Sequence, residues 1–174
     1  DFYALWPAGW VFGWDSYLTA RVTALLMPAT TLLLVHQALA RVTGRTIARA
    51  ASLAALALEA LTHATDFQHY STELVPITLL AGAVYGATRR WSGGGGGWCA
   101  LGGFLLGAVP FAKLQPVPLA AAGGLAWLWV ELRADTQRPA AALVVGATIP
   151  AAIFASMLTV AGEWPTFWES YVVF

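Results

Sequence analysis

The chain has 174 residues, is 59% hydrophobic and only 10% charged, and carries no formal net charge at neutral pH. Soluble domains run near 45–50% apolar and about 25% charged, so this composition, with a mean hydropathy of +0.66, points to an all-α, polytopic transmembrane bundle. No basic run or aromatic-basic interleaving supports a nucleic-acid partner, and the single cysteine, Cys99, excludes an internal disulfide and a cysteine-based zinc or redox pair.

Taken in chain order, residues 1–15 ("DFYALWPAGWVFGWD") are too short and too aromatic to span a bilayer. They read as an interfacial segment at headgroup depth, where Trp and Tyr prefer to sit. A hydrocarbon core takes roughly 20 apolar residues to cross as a helix, and six stretches approach that length. The first covers 16–40 and carries Pro28, expected to kink it. The second covers 46–64, after a Thr-Gly turn, and holds Glu59. The third covers 73–87, with Pro76 in its first turn, where amide donors lack partners anyway. "SGGGGG" follows as a flexible turn; a phosphate loop would need a preceding strand and a following Lys-Ser/Thr. The remaining spans are 98–112, 116–132 and 139–162. One transmembrane domain, 1–174, accommodates all of this. The chain opens at Asp1 without Met or a basic leader and stops at "YVVF", which reads as a piece of a longer protein.

Alternation of six spans sorts the loops into two sets. One set holds Arg41, Arg45, Arg49, Arg89, Arg90, Arg133 and Arg138, seven of the nine basic residues; the other holds only Arg21 and Lys113. The basic set should be cytoplasmic. Asp66–Glu73, the Lys113–Gln115 turn and "GEWPTFWESY" then face outward, and Glu131 and Asp135 lie among the cytoplasmic arginines.

The outward set gathers the chemistry. "TDFQHYSTELVP" brings Asp66, His69, Tyr70 and Glu73 within eight positions; a helical turn there would put Asp66, His69 and Glu73 on one face. Glu73 also suits the start of a helix, where the dipole favours its charge and Ser71 or Thr72 can cap. The stretch is thus either a capped helix start or the lip of a site. In "GAVPFAKLQPVPLA", Lys113 and Gln115 occupy a tight turn framed by Pro110, Pro116 and Pro118. Lys113 there either snorkels to the headgroups or meets a lipid phosphate as a compact point charge. Glu59, inside the second span, is costly to bury and so a functional candidate, unless it simply pairs with Arg21, His63 or a neighbouring hydroxyl. No histidine spacing fits a two-His metal motif, and no acidic pair has spacing that demands a divalent ion; neither metal nor other cofactor is expected.

"HYSTELVPITLLAGAVY", "GAVPFAKLQPVPLA" and "FWESYVVF" together resemble polytopic bacterial glycosyltransferases of the GT-C superfamily, the class of protein O-mannosyltransferases and lipid A aminoarabinose transferase. They are similar above all to bacterial membrane proteins with an "HYSSE" element and a "PFAKLQ" turn. The likeness runs from "WPAGWVFGWDSYLTARV" onward, though only these short motifs are specific. It implies an inverting transfer of a sugar from a polyprenyl-phosphate-linked donor to an acceptor at the outward face of a bacterial cytoplasmic (inner) membrane. Membrane lipids and the lipid-linked donor would be the partners. By the same resemblance Lys113, with Gln115, would meet the donor phosphate, and Asp66, His69, Tyr70 and Glu73 would line the sugar or acceptor pocket. "STE" stands here where relatives have "SSE". The relatives' catalytic Asp belongs to a first outward loop that this chain does not contain, so no catalytic residue is assigned and the piece alone is not expected to be active. The competing reading is a proton- or solute-coupled transporter using Glu59, His63, Asp66 and His69. A third is an assembly subunit whose small residues, Gly82, Gly86, Gly103 and Gly107, only pack helices.

Overall fold

A computed structural model describes residues 6–14, 16–61, 73–134 and 136–171. Among them the chain is all-helical, with eight helices: α1 Trp6–Phe12, α2 Tyr17–Val42, α3 Arg45–Leu61, α4 Leu74–Trp91, α5 Gly97–Ala112, α6 Val117–Arg133, α7 Gln137–Ala161 and α8 Trp164–Tyr171. Two of these, α2 and α7, are long and apolar enough to cross a membrane; α5 is apolar but shorter.

Local sequence explains the breaks. Ser16 takes an extended conformation and accepts a hydrogen bond from the Leu18 amide at 3.2 Å, capping α2. Pro28 lies inside α2. α7 ends at Gly162, whose φ of 69° is left-handed and suits a residue without a Cβ. Lys113 ends α5 by turning extended, while its amide still reaches the Val109 carbonyl at 3.0 Å.

In order of contact the helices run α3–α2–α4–α5–α7, with α6 set against α5 and α7. α2 and α4 are parallel, as are α5 and α7, since Thr31 and Leu34 meet Thr78 and Gly82, and Gly103 and Gly107 meet Leu143 and Ala147. The closest packing is α5 on α7, and small residues cause it. A Cβ added to Gly103 or Gly107 would overlap the carbonyl oxygen of Leu143 or Ala147, and one on Gly146 would overlap that of Ala100. Backbone therefore lies on backbone, the contact that drives helix association where apolar side chains gain nothing by leaving lipid. Beside this seam, Ala87, Cys99, Trp127 and Leu143 form a buried cluster, with Gly102 directly against the Trp127 ring. Further along, Thr31 and Thr78 hydroxyls join α2 to α4 at 2.8 Å.

Apart from Trp127, Leu143 and Glu131, most of what is buried is small, and many large apolar side chains are exposed. Ala24, Ala38, Ala48, Ala81, Ala83 and Cys99 are inside, whereas Leu25, Leu53, Leu125, Val145 and Val160 point out. A surface this apolar suits lipid as solvent.

The expected segments differ from the observed helices in particular ways. The third runs to Trp91 rather than Ala87, so Arg89 and Arg90 are not loop residues but the last turn of α4, where cations favour the dipole. Part of the expected glycine turn is helix, since α5 starts at Gly97. "GEWPTFWESY", expected as an outward loop, contains α8. The interfacial segment contains α1, and Asp1 and Asp15 lie outside the described residues.

Candidate functional site

The turn between α5 and α6 and the start of α4 meet at one end of the bundle. Pro110 in α5, then Pro116 and Pro118 at the start of α6, restrict the backbone on both sides of Lys113. Across the gap, Glu73 immediately precedes α4. Lys113 Nζ donates to Glu73 Oε1 at 2.8 Å; the lysine side chain is 26% exposed and the glutamate 62%. Glu73 accordingly ionises below the ordinary glutamate value, first because it accepts this hydrogen bond and second because of the lysine charge. Lys113 is the only lysine in the chain.

Of the residues expected around a phosphate and sugar pocket, the structure therefore brings Lys113 and Glu73 together. Gln115 is exposed in the same turn. Asp66, His69, Tyr70 and His63 lie outside the described residues, and Glu59 is in α3. An aromatic chain lies beside the lysine turn. Phe111, two residues before Lys113, is 4.9 Å from Phe154 of α7, which is 5.6 Å from Phe167 of α8. Trp164 completes that corner by donating Nε1–H to the Thr159 hydroxyl at 3.0 Å. α8 and the lysine turn thus share one end.

The arginine-rich end is built differently. Arg41 lies over Tyr85, Arg89 over Trp98 and Arg133 over Trp129, at 4.4–5.0 Å from the ring centroids. Glu131, expected at the cytoplasmic end of the 116–132 span beside the arginines, is 2% exposed. It holds Arg90 Nη2 at 3.0 Å and accepts from the Thr136 hydroxyl at 2.7 Å and Trp127 Nε1 at 3.3 Å. Sequence reasoning missed this network because Glu131 and Arg90 stand 41 residues apart. The usable signal was the i, i+4 pair Trp127 and Glu131, which puts a carboxylate on the same face as a large aromatic.

The two ion pairs fasten α4 to the α5–α6 hairpin at opposite ends. Between them α4 and α6 border an apolar slot of about 390 Å3, lined by Leu80, Val84, Trp91, Leu119, Gly123 and Trp127 among others, with Leu106 of α5 as its floor. Among the described residues no three His, Cys, Asp or Glu side chains converge as metal ligands would. No protein-family model, curated protein or solved structure matches this chain.

Proposed function

We propose that this chain is a transmembrane core of a bacterial GT-C glycosyltransferase, in which α2 to α7 are six spans of the cytoplasmic membrane and the Lys113 end faces outward. Supporting that placement, seven of the nine basic residues fall at or next to the opposite helix ends. The substrate is a sugar carried on a polyprenyl phosphate, and the acceptor attacks the anomeric carbon as the lipid phosphate departs.

The observation that carries this reading is Lys113 itself. A lone lysine, framed by prolines between two helices, holds its ammonium at one end of the bundle, which in a membrane-spanning arrangement is the depth of a lipid phosphate. Electrostatic support for a departing phosphate requires a cation fixed in advance, and the turn supplies the fixing. Gln115 adds a donor in the same turn, and the slot between α4 and α6 offers apolar surface to the carrier chain. Glu73 holds the ammonium until phosphate replaces it, while Asp66, His69 and Tyr70 line the sugar or acceptor pocket.

The test is binding of a short polyprenyl phosphate to the chain in nanodiscs. Lys113→Ala should weaken binding about tenfold or more, a loss of roughly 1.4 kcal/mol. Binding that is indifferent to Lys113 in folded protein would overturn the assignment.

A further inference from the structure

α2 and α3 enclose a groove of about 470 Å3 on the far side of the bundle from α7. Its walls are mainly apolar, from Leu25, Pro28, Leu32 and Leu33 of α2 and Leu56 of α3. At the arginine-rich end it stops at a polar pair, His36 Nδ1 and Ser52 Oγ, 2.9 Å apart. α3 has α2 as its main neighbour, so Ile47, Leu53 and Leu58 on its other sides remain exposed.

Just beyond the polar pair stand Arg45 and Arg49. They precede Ser52 by seven and three residues, a spacing that keeps all three on one helical face. Arg49 is about 4.5 Å of helix rise from Ser52. Both arginines are exposed, and both sit in the opening turns of α3, where the helix dipole disfavours positive charge and no acidic residue offsets it. Their neighbours are provided for: Arg41 bonds the Gln37 carbonyl at 2.7 Å and covers Tyr85, and Arg90 holds Glu131. Arg45 and Arg49 make no hydrogen bond, ion pair or ring contact among the described residues. Two cations are thus placed at an electrostatic cost, beside amide donors that lack helical partners and at the mouth of an apolar groove.

We propose that this groove binds one anionic phospholipid from the leaflet at the arginine-rich end. Its phosphate lies between Arg45 and Arg49 at the start of α3, and an acyl chain runs along Pro28, Leu32, Leu33 and Leu56. Charge complementarity selects an anionic headgroup over a zwitterionic one, because the site offers two positive charges and no acidic partner. Basic pockets between spans on the cytoplasmic side are a recurrent way to hold such heads. The proposal depends on membrane insertion but not on sugar transfer, since it uses neither Lys113 nor Glu73.

Delipidated whole chain in detergent, titrated with dioleoyl phosphatidylglycerol or dioleoyl phosphatidylcholine and read by native mass spectrometry, tests it. The first bound phosphatidylglycerol should bind at least tenfold tighter than phosphatidylcholine. Arg45→Ala and Arg49→Ala should each cost about fivefold for phosphatidylglycerol and leave phosphatidylcholine unchanged. Ala29→Phe, which fills the groove from an exposed wall position, should weaken both lipids. Equal affinity for the two lipids would overturn the proposal, as would a preference that survives both arginine substitutions. Binding indifferent to Ala29→Phe would place the lipid elsewhere. A dimer that phosphatidylglycerol fails to disperse, and that Ala29→Phe abolishes, would make a second copy the occupant.

Discussion

Lys113 Nζ and Glu73 Oε1 lie 2.8 Å apart although forty residues separate them in the chain. The contact closes the α4–α5 hairpin at the end away from its glycine turn, joining the two stretches whose composition stands out against the surrounding Ala and Leu.

That pair should report on pH. Glu73 ionises below its ordinary value in the folded chain, so its contribution is complete above that ordinary value, near 4.5. It is lost as pH falls through the lowered folded value. The melting midpoint of the wild type in detergent should exceed that of Glu73→Gln by a small amount at neutral pH, as befits an exposed pair. The two curves should merge in acid. A difference that persists there would mean that Glu73 acts through something other than its charge.

Glu131 should behave in the opposite manner, as a large and buried effect. Glu131→Ala leaves the Arg90 guanidinium without its carboxylate, which costs about 3 kcal/mol. That is toward the lower end for such pairs, because 21% of the Arg90 side chain reaches solvent. The double variant Arg90→Met/Glu131→Leu should recover most of the loss, since an apolar pair of similar volume needs no compensation. Reversible unfolding in mixed detergent would show whether the double variant is the more stable of the two.

Glycine substitutions should split by position. Gly103→Ala and Gly107→Ala force α5 off α7, because the obstacle is backbone carbonyl rather than a movable side chain; each should cost about 1–3 kcal/mol, in the range of overpacking. Gly123→Ala meets nothing within 4 Å and should be neutral or stabilise by up to about 1 kcal/mol, through helix propensity. If Gly103→Ala were as harmless as Gly123→Ala, the α5–α7 seam would not be the tight contact described.

The helices themselves were legible because long apolar runs broken by Gly, Pro and polar pairs leave few alternatives. The ends were less so. The apolar run stops at Ala87, yet Arg89 and Arg90 extend α4 to Trp91: hydrogen bonding ends a helix, and polarity need not. α8 was missed because eight residues rich in aromatics have no long periodic stretch; Phe167 and Trp164 are held by tertiary contacts. In the candidate site, the prominence of Lys113 and Glu73 could be read from the sequence, but their pairing could not, since it depends on how α4 and α5 run antiparallel. Glu131 could be placed beside the arginines, but its pairing with Arg90 could not, since it depends on how α6 packs beside α4.

The fastening of α4 at both ends also limits how it can move. Sliding α4 lengthwise past α6 would have to break Lys113–Glu73 and Arg90–Glu131 together, so shear is the costly displacement. Bowing apart in the middle breaks neither, because there the two helices are separated by the apolar slot. Because α4 is held along its other sides by α2 and α5, α6 is the helix that can bow between the two pairs, and a guest entering the slot sideways from the bilayer would widen it without unfastening either pair.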